Sequence, residues 1–283
     1  MPELPEIEAL REALAASASG REIASTRVRQ FALVKTFDPA VEAMAGRRLG
    51  AVGRHGKHLL IDVGGDWTLA IHLGIGGRLV FRSAGQKPGR TASLEIGFVD
   101  GGALDVVEQG TKKRSSVHLL RRTEVGAHLA SLGVDALSPD LTVERLAELL
   151  RADRVQIKGF LTDQRRIAGI GNAYSDEILW EARIAPLRLS TALDEGDVER
   201  LHDAIGSVLR RALEAARGGN YLLVARGDKR GAFMVHRREG EPCPHCGDRI
   251  ASIHFAESSL QYCATCQAEG RRYADRRLSR LLR

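Results

Sequence analysis

Apolar residues at Leu4, Ile7, Leu10 and Leu14 recur at helical spacing, so the opening segment is predicted to be an amphipathic helix packed on the next part of the chain. From about residue 21 to 125 the period shortens. Runs such as HLLIDV, WTLAIHL, RLVFRS, LEIGFV and ALDVVE are β-branched and apolar, and glycine-containing breaks (VGGD, GIGGR, VDGG) separate them. This pattern predicts an antiparallel sandwich or barrel. A Ser138-Pro139 break then precedes Thr142, a candidate helix cap with Glu144 close behind, and helical spacing resumes through 151–164, 173–183 and 195–217. A mainly helical second domain is the simplest reading. Residues 218–233 are glycine-rich and basic, as suits a mobile loop, and no repeat of 20 residues or more is present.

Composition narrows the class. The 283 residues suffice to bury roughly 75% of the unfolded surface and allow two domains. With 43% hydrophobic and 28% charged residues, neither a disordered tail nor a membrane protein fits, and no apolar run approaches a bilayer span. MPELPEIEAL carries three glutamates and no basic residue, which is wrong for a secretory or transit signal, so a cytoplasmic location is expected. The net charge of +6 makes a polyanionic partner plausible. Much of it sits near the end, where residues 227–283 hold 11 Lys plus Arg against 7 Asp plus Glu; TKKRSSVHLLRR at 111–122 is a second basic block without an acid. A single such block is as readily a solvated face as a binding site.

All four cysteines fall in one stretch. Cys243 and Cys246 form one C-x2-C pair, and Cys263 and Cys266 form another sixteen residues on. Two tight turns, each presenting two thiolates, close a tetrahedral zinc site that has no open catalytic position, so one structural Zn2+ is expected and no second cofactor. Zinc would supply on the order of 10 kcal/mol to a segment too small for a core of its own. Arg249, Arg271 and Arg272 lie in the same ribbon, which places cations where a duplex could meet them.

Pro2 follows the initiator methionine, whose removal would leave a secondary amine. An α-amino group titrates at about 7.7–8.0, so a neutral, nucleophilic fraction exists at physiological pH. Glu3 and Glu6, within one turn, could serve as general acid or base. In an arbitrary protein the same two glutamates would simply favour the helix dipole.

Four separated segments change that balance. PELPEIE at 2–8, GKHLL at 56–60, DQRRIAGIGNAYSDEILWEARIAP at 163–186 and the EGEPCPHCG…YCATCQ finger at 239–267 resemble the formamidopyrimidine-DNA glycosylase and endonuclease VIII family, in the family's order across nearly the whole chain. The resemblance implies an α+β multidomain fold: an N-terminal helix plus antiparallel β-sandwich over 1–130, a helical domain with the helix-two-turns-helix motif over 137–226, and a zinc ribbon with a basic tail over 233–283. Damaged double-stranded DNA would lie across the cleft between them, bound by a monomer. It also implies base excision with AP lyase chemistry. Pro2 attacks C1′ of a flipped nucleotide, Glu3 protonates the ring oxygen, Glu6 supports the same centre and Lys57 holds the phosphate beside the lesion. His72, Lys158 and Asn172 match family positions that approach phosphate. Flipping costs a few kcal/mol, and less for a damaged base, so damage itself supplies part of the selectivity.

The sequence also departs from the family. The finger arginine, five residues before the third cysteine, is replaced by Ser258, and a hydroxyl cannot substitute for a bidentate guanidinium. Arg249 or Arg237 is the candidate replacement. Ile75 stands where many relatives place a methionine wedge, and Lys112, Lys113 or Arg114 is the candidate reader of the opposite base. These departures lead to the expectation that oxidised pyrimidines, abasic sites or single-stranded lesions are preferred over 8-oxoguanine. The competing readings are a catalytically silent damaged-DNA binder on the same scaffold and a general zinc-ribbon nucleic-acid protein. The second leaves the N-terminal motif unexplained.

Overall fold

The computed structural model describes residues 2–108, 114–217, 233–255 and 258–273. They form two compact units, Met1–Ser131 with Leu213–Gly227 and Leu132–Ala212 with Asp228–Arg283.

In the first unit, helix α1 (Leu4–Ala18) buries Leu4, Ile7, Leu10 and Leu14, as their spacing predicts. Eight strands succeed it: β1 (Ile23–Val28), β2 (Val52–His55), β3 (His58–Asp62), β4 (Trp67–His72), β5 (Gly77–Arg82), β6 (Ala92–Phe98), β7 (Ala103–Glu108) and β8 (Ser116–Arg121). They make two antiparallel four-stranded sheets, ordered β1-β6-β7-β5 and β2-β3-β4-β8. One apolar core receives alternate residues from both. Leu59 and Ile61, Leu69 and Ile71, and Val117 and Leu119 come from one sheet, and Leu94, Ile96, Leu104 and Val106 from the other. Only full burial against an opposing layer explains such a clean alternation. The basic block at 111–122 is therefore only partly a charged surface: Val117 and Leu119 make its second half a core strand paired with β4. The arginines at its end, Arg121 and Arg122, are exposed.

A short helix α2 (Val125–Leu129) comes after β8. The second unit contains a two-residue strand β9 (Val134–Asp135), α3 (Val143–Ala152), α4 (Ile157–Thr162), β10 (Ile167–Ala168), α5 (Asn172–Glu181) and most of α6 (Glu195–Arg217). Thr142 caps α3 by accepting from the Arg145 N–H at 3.2 Å, the role its position predicts. The helical stretch expected over 151–164 is broken at 153–156, where the backbone turns before α4. Beyond it the hairpin β11 (Ile250–His254) and β12 (Ser259–Cys263) leads into α7 (Ala264–Ala268). No helix among the described residues is long and apolar enough to cross a membrane. The loop expected over 218–233 lies, but for Phe233, outside the described residues.

Candidate functional site

In the first unit the start of α1 gathers the predicted chemistry. Pro2 is half-buried, whereas Glu3, Glu6 and Lys57 are almost fully buried. Glu3 and Glu6 form a reciprocal capping box in which the Glu3 N–H donates to the Glu6 carboxylate at 2.8 Å. Lys57 arrives from the β2–β3 turn, where Gly56 adopts a left-handed φ of 55°. Burial pulls its ammonium below the ordinary lysine value, while the negative charges of Glu3 and Glu6 pull the other way. Arg54 on β2 pairs with Glu8 on α1 at 2.7 Å and fixes the helix against the sheet that carries Lys57. Buried acids and a buried cation beside a chain-terminal proline can donate and accept protons at a carbon held there, with little water to compete.

His72 sits one strand away, opposite His58. Their rings stack at 4.7 Å; His128 packs edge-on against His58 at 5.8 Å and meets His118 at 4.5 Å. Burial, then the Lys57 charge, lowers the His72 pKa, so at neutral pH it meets a phosphate as a hydrogen-bonding neutral ring rather than as a cation. Burial, reinforced by neighbouring histidines, drives His58 down to about 3. Ile75 lies on the turn after β4 and is 49% exposed, where a wedge must be. Arg114 is exposed, and Lys112 and Lys113 lie outside the described residues.

In the second unit, α4, two turns and α5 present the GIGN segment. Gly169 has φ 113°, a conformation that a side chain would strain. Gln164 braces the turn: its amide donates to the Ile170 and Thr162 carbonyls at 2.6 and 2.9 Å and accepts from the Gly169 N–H at 3.0 Å. Asn172 opens α5, but one of its amide N–H groups already donates to the Ser259 carbonyl at 3.0 Å, tethering the finger hairpin.

Lys158 differs from the expectation of a direct phosphate contact. Its ammonium reaches the Asn172 carbonyl at 3.1 Å, the Ser175 hydroxyl at 3.0 Å and the Asp176 carboxylate at 2.5 Å, which accounts for its three donors inside the protein. The other Asp176 oxygen lies 2.7 Å from His236 Nδ1. The adjacent Glu177 accepts the backbone N–H groups of Met234, Val235 and His236 at 2.8, 2.9 and 2.8 Å. Burial raises its pKa, partly offset by those three donors. Sequence reasoning did not single out Gln164, Asp176, Glu177 or His236, because polar residues on a short helix look solvated until their distant partners are known.

The four cysteine sulfurs lie within 4.8 Å of one another, the one cysteine cluster among the described residues suited to a metal. Cys243 and Cys266 are 3.9 Å apart, and Cys246 and Cys263 3.4 Å. A tetrahedral Zn–S4 centre with bonds of about 2.3 Å needs edges of about 3.8 Å, so the set fits zinc. Burial pushes the Cys243 thiol up, but N–H groups from the Trp180 indole and from the Cys246 and His245 backbone outweigh it and bring the thiol down to about 7. That favours the thiolate a metal needs. Ser258 is exposed at the tip of the hairpin, whereas Arg249 donates to the Gly240 carbonyl at its base. Five paired residues at about 3.4 Å each separate the two ends, so Arg249 is not placed where the missing guanidinium would act. Arg237 is better placed: it is exposed, and its backbone N–H donates to Gln261 on β12 at 3.3 Å.

Residues 1–113 match the formamidopyrimidine-DNA glycosylase N-terminal domain, 132–222 the H2TH domain of the same enzymes, and 240–268 the zinc finger found in FPG and IleRS. The chain is 38% identical over 276 residues to the formamidopyrimidine-DNA glycosylase of Roseiflexus sp. (strain RS-1), covering 94% of this chain and 100% of that one. A formamidopyrimidine-DNA glycosylase-like protein of Mycobacterium tuberculosis is 46% identical over 153 residues, 54% of this chain and 95% of its own length. Among solved structures, the Lactococcus lactis enzyme bound to Fapy-dG DNA superposes with a TM-score of 0.86 at 27% identity, over 94% of this chain and 100% of that one. The same enzyme bound to DNA containing an oxidised pyrimidine gives 0.86 at 28%, with the same coverage. With its three domains matched in order and its cysteines set for one structural zinc, the chain belongs to the formamidopyrimidine-DNA glycosylase family, DNA glycosylases of base excision repair.

Proposed function

We propose that the protein is a bifunctional glycosylase and AP lyase that works through a Schiff base at Pro2. The observation that carries this reading is the burial of Glu3, Glu6 and Lys57 around the helix start that bears Pro2. With Met1 removed, the neutral imino group attacks C1′ of a flipped nucleotide and the damaged base leaves. Glu3 protonates the ring oxygen as the sugar opens, giving an iminium between Pro2 and C1′. The iminium acidifies the C2′ protons; loss of one expels the 3′ phosphate, and a second elimination can release the 5′ phosphate. Lys57 and a neutral His72 hold the lesion phosphate, and the GIGN backbone with Asn172 holds another. Ile75 fills the gap left by the flipped base, and the basic loop that includes Lys112, Lys113 and Arg114 faces its partner strand. The substrate is duplex DNA, the enzyme acts as a cytoplasmic monomer, and oxidised pyrimidines, abasic sites or single-stranded lesions are preferred to 8-oxoguanine.

A second reading, a silent damaged-DNA binder, is favoured by the exposed Ser258 at the finger tip, where no guanidinium grips phosphate. Borohydride separates the two. Incubation with an abasic or oxidised-base duplex should trap a covalent adduct that Pro2→Gly weakens; a protein that binds the duplex but yields no adduct is the silent binder. A lesion panel led by 8-oxoguanine opposite cytosine would overturn the proposed preference.

A further inference from the structure

Beyond the catalytic groups, one buried carboxylate holds together the segments that surround the proposed wedge. Strand β7 ends at Glu108, and β5 begins at Gly77, its direct pairing partner. The turn between β4 and β5 is closed by the Gly77 N–H donating to the Leu73 carbonyl at 2.8 Å, with Ile75 exposed at its tip. The Glu108 carboxylate, 1% exposed, accepts the backbone N–H groups of both Arg114 and Ser115 on the same oxygen, at 2.7 and 2.8 Å. The Ser115 hydroxyl then donates to the Leu73 carbonyl at 2.8 Å. A chain of hydrogen bonds thus runs from the end of β7, through the start of β8, to the turn that carries Ile75.

The contacts leave no slack. A Cβ on Gly77 would stand 2.2 Å from the Leu73 carbonyl oxygen and 2.4 Å from the Ser115 hydroxyl. One on Gly74, whose φ is 56°, would stand 2.6 Å from the Arg114 carbonyl oxygen. Glycine is required at both places because backbone meets backbone there. A carboxylate buried to this degree is costly unless donors satisfy it, and backbone donors satisfy it here.

We propose that Glu108 is a positioning residue that locks the Ile75 turn to the Arg114–Ser115 segment, so that the wedge and the residues facing the opposite strand enter the DNA as one rigid body. The proposal rests on the DNA-repair reading above and extends it to how the duplex is opened. Unstacking a base pair pushes back on the wedge, and a turn free to recoil would yield instead of the duplex. Since both N–H groups meet one oxygen, a glutamine can keep that acceptor and an alanine cannot.

Two quantities test this in the full-length, zinc-loaded protein: the affinity ratio between a duplex holding a tetrahydrofuran abasic analogue and the intact duplex, and the rate of base excision from duplex relative to strand cleavage at a single-stranded abasic site. Glu108→Ala should cut both ratios by about tenfold while single-stranded cleavage stays within about twofold of the unsubstituted protein. Glu108→Gln should restore most of the loss, and Gly74→Ala, which pushes the same segments apart from the other side, should reproduce it. Should Glu108→Ala fail to fold, Ser115→Ala, which removes only the bond to Leu73, should show the same loss in smaller degree. Ratios unchanged in the folded Glu108→Ala or Ser115→Ala protein, or a uniform loss on all substrates that Glu108→Gln does not repair, would overturn the proposal. The affinity ratio needs no catalysis, so a protein that traps no adduct would sink the enzymatic reading and still leave the role of Glu108 decided.

Discussion

The backbone N–H of Glu3 donates to the carboxylate of Glu6 at 2.8 Å, so the two proposed acid-base groups are also the cap of the helix they stand on. Fold and chemistry share these residues, and two substitutions separate them. Glutamine at position 3 keeps an acceptor for the cap but carries no ionisable proton. Glu3→Gln should therefore leave thermal stability nearly unchanged while slowing base removal by about two orders of magnitude, within the range typical of general acid catalysis. Glu6→Ala should lose about 1 kcal/mol of stability with the cap as well as activity. Melting curves beside single-turnover excision assays check both.

Lys158 and Asp176 give a contrasting case. A fully buried carboxylate is held by a lysine whose three donors are all taken inside the protein. Lys158→Met leaves that charge unpaired, for which a cost of about 3–5 kcal/mol is usual. A phosphate contact would instead show in the salt dependence of DNA binding, where losing one lowers the slope of log K against log salt by about 1. The expected outcome for Lys158→Met is a large fall in stability with the salt slope unchanged; a slope reduced by a full unit in a stable protein would restore Lys158 to the phosphate-binding set. The unsubstituted protein should itself bind DNA far more weakly at physiological than at low salt.

These residues mark how far the sequence could be read. The period of Leu4, Ile7, Leu10 and Leu14 and the spacing of the four cysteines are local, so helix and zinc site were legible without coordinates. The strand β8 was obscured by the charges that bracket it, since Val117 and Leu119 identify themselves as core only when β4 lies beside them. Glu108, Gln164, Asp176 and Glu177 were illegible for a related reason. A polar residue is buried because of what it bonds to, and Glu177 finds its donors 57 to 59 residues away. Arg249 misled through proximity in sequence, because a hairpin carries neighbours in the chain to opposite ends of the ribbon.

The indole N–H of Trp180 donates to Cys243 Sγ at 3.4 Å, which links the emission of one tryptophan to the metal centre. The chain has two tryptophans, and Trp67 lies on β4 with the Arg47 guanidinium 3.9 Å from its ring centre. In a Trp67→Phe background, removing zinc with a strong chelator should release one ion per chain, change the Trp180 emission and abolish DNA binding. Returning zinc should restore all three. Metal analysis that finds no zinc in a protein with an ordered finger would contradict the assignment of a structural site.

The clustered histidines make stability depend on pH in a calculable direction. His58 lies on β3, His72 on β4, His118 on β8 and His128 on α2, and the Nδ1 of His58 and Nε2 of His128 are buried without a hydrogen-bond partner. Burial, then the charges of the other histidines, takes His58 to about 3; burial, then His128 and Lys35, takes His118 to about 4. In the unfolded chain each titrates at about 6.5. Between those values and 6.5 the unfolded state binds protons that the folded state refuses, so the stabilisation is whole above 6.5 and is lost as the pH falls toward 4. For His58 the slope approaches about 1.4 kcal/mol per pH unit in that window. Denaturant midpoints should fall steadily from pH 7 to pH 4.5, and His58→Phe, which keeps a ring against His72 but takes up no proton, should flatten the decline. An unaltered pH profile in that variant would mean that the acid sensitivity arises elsewhere.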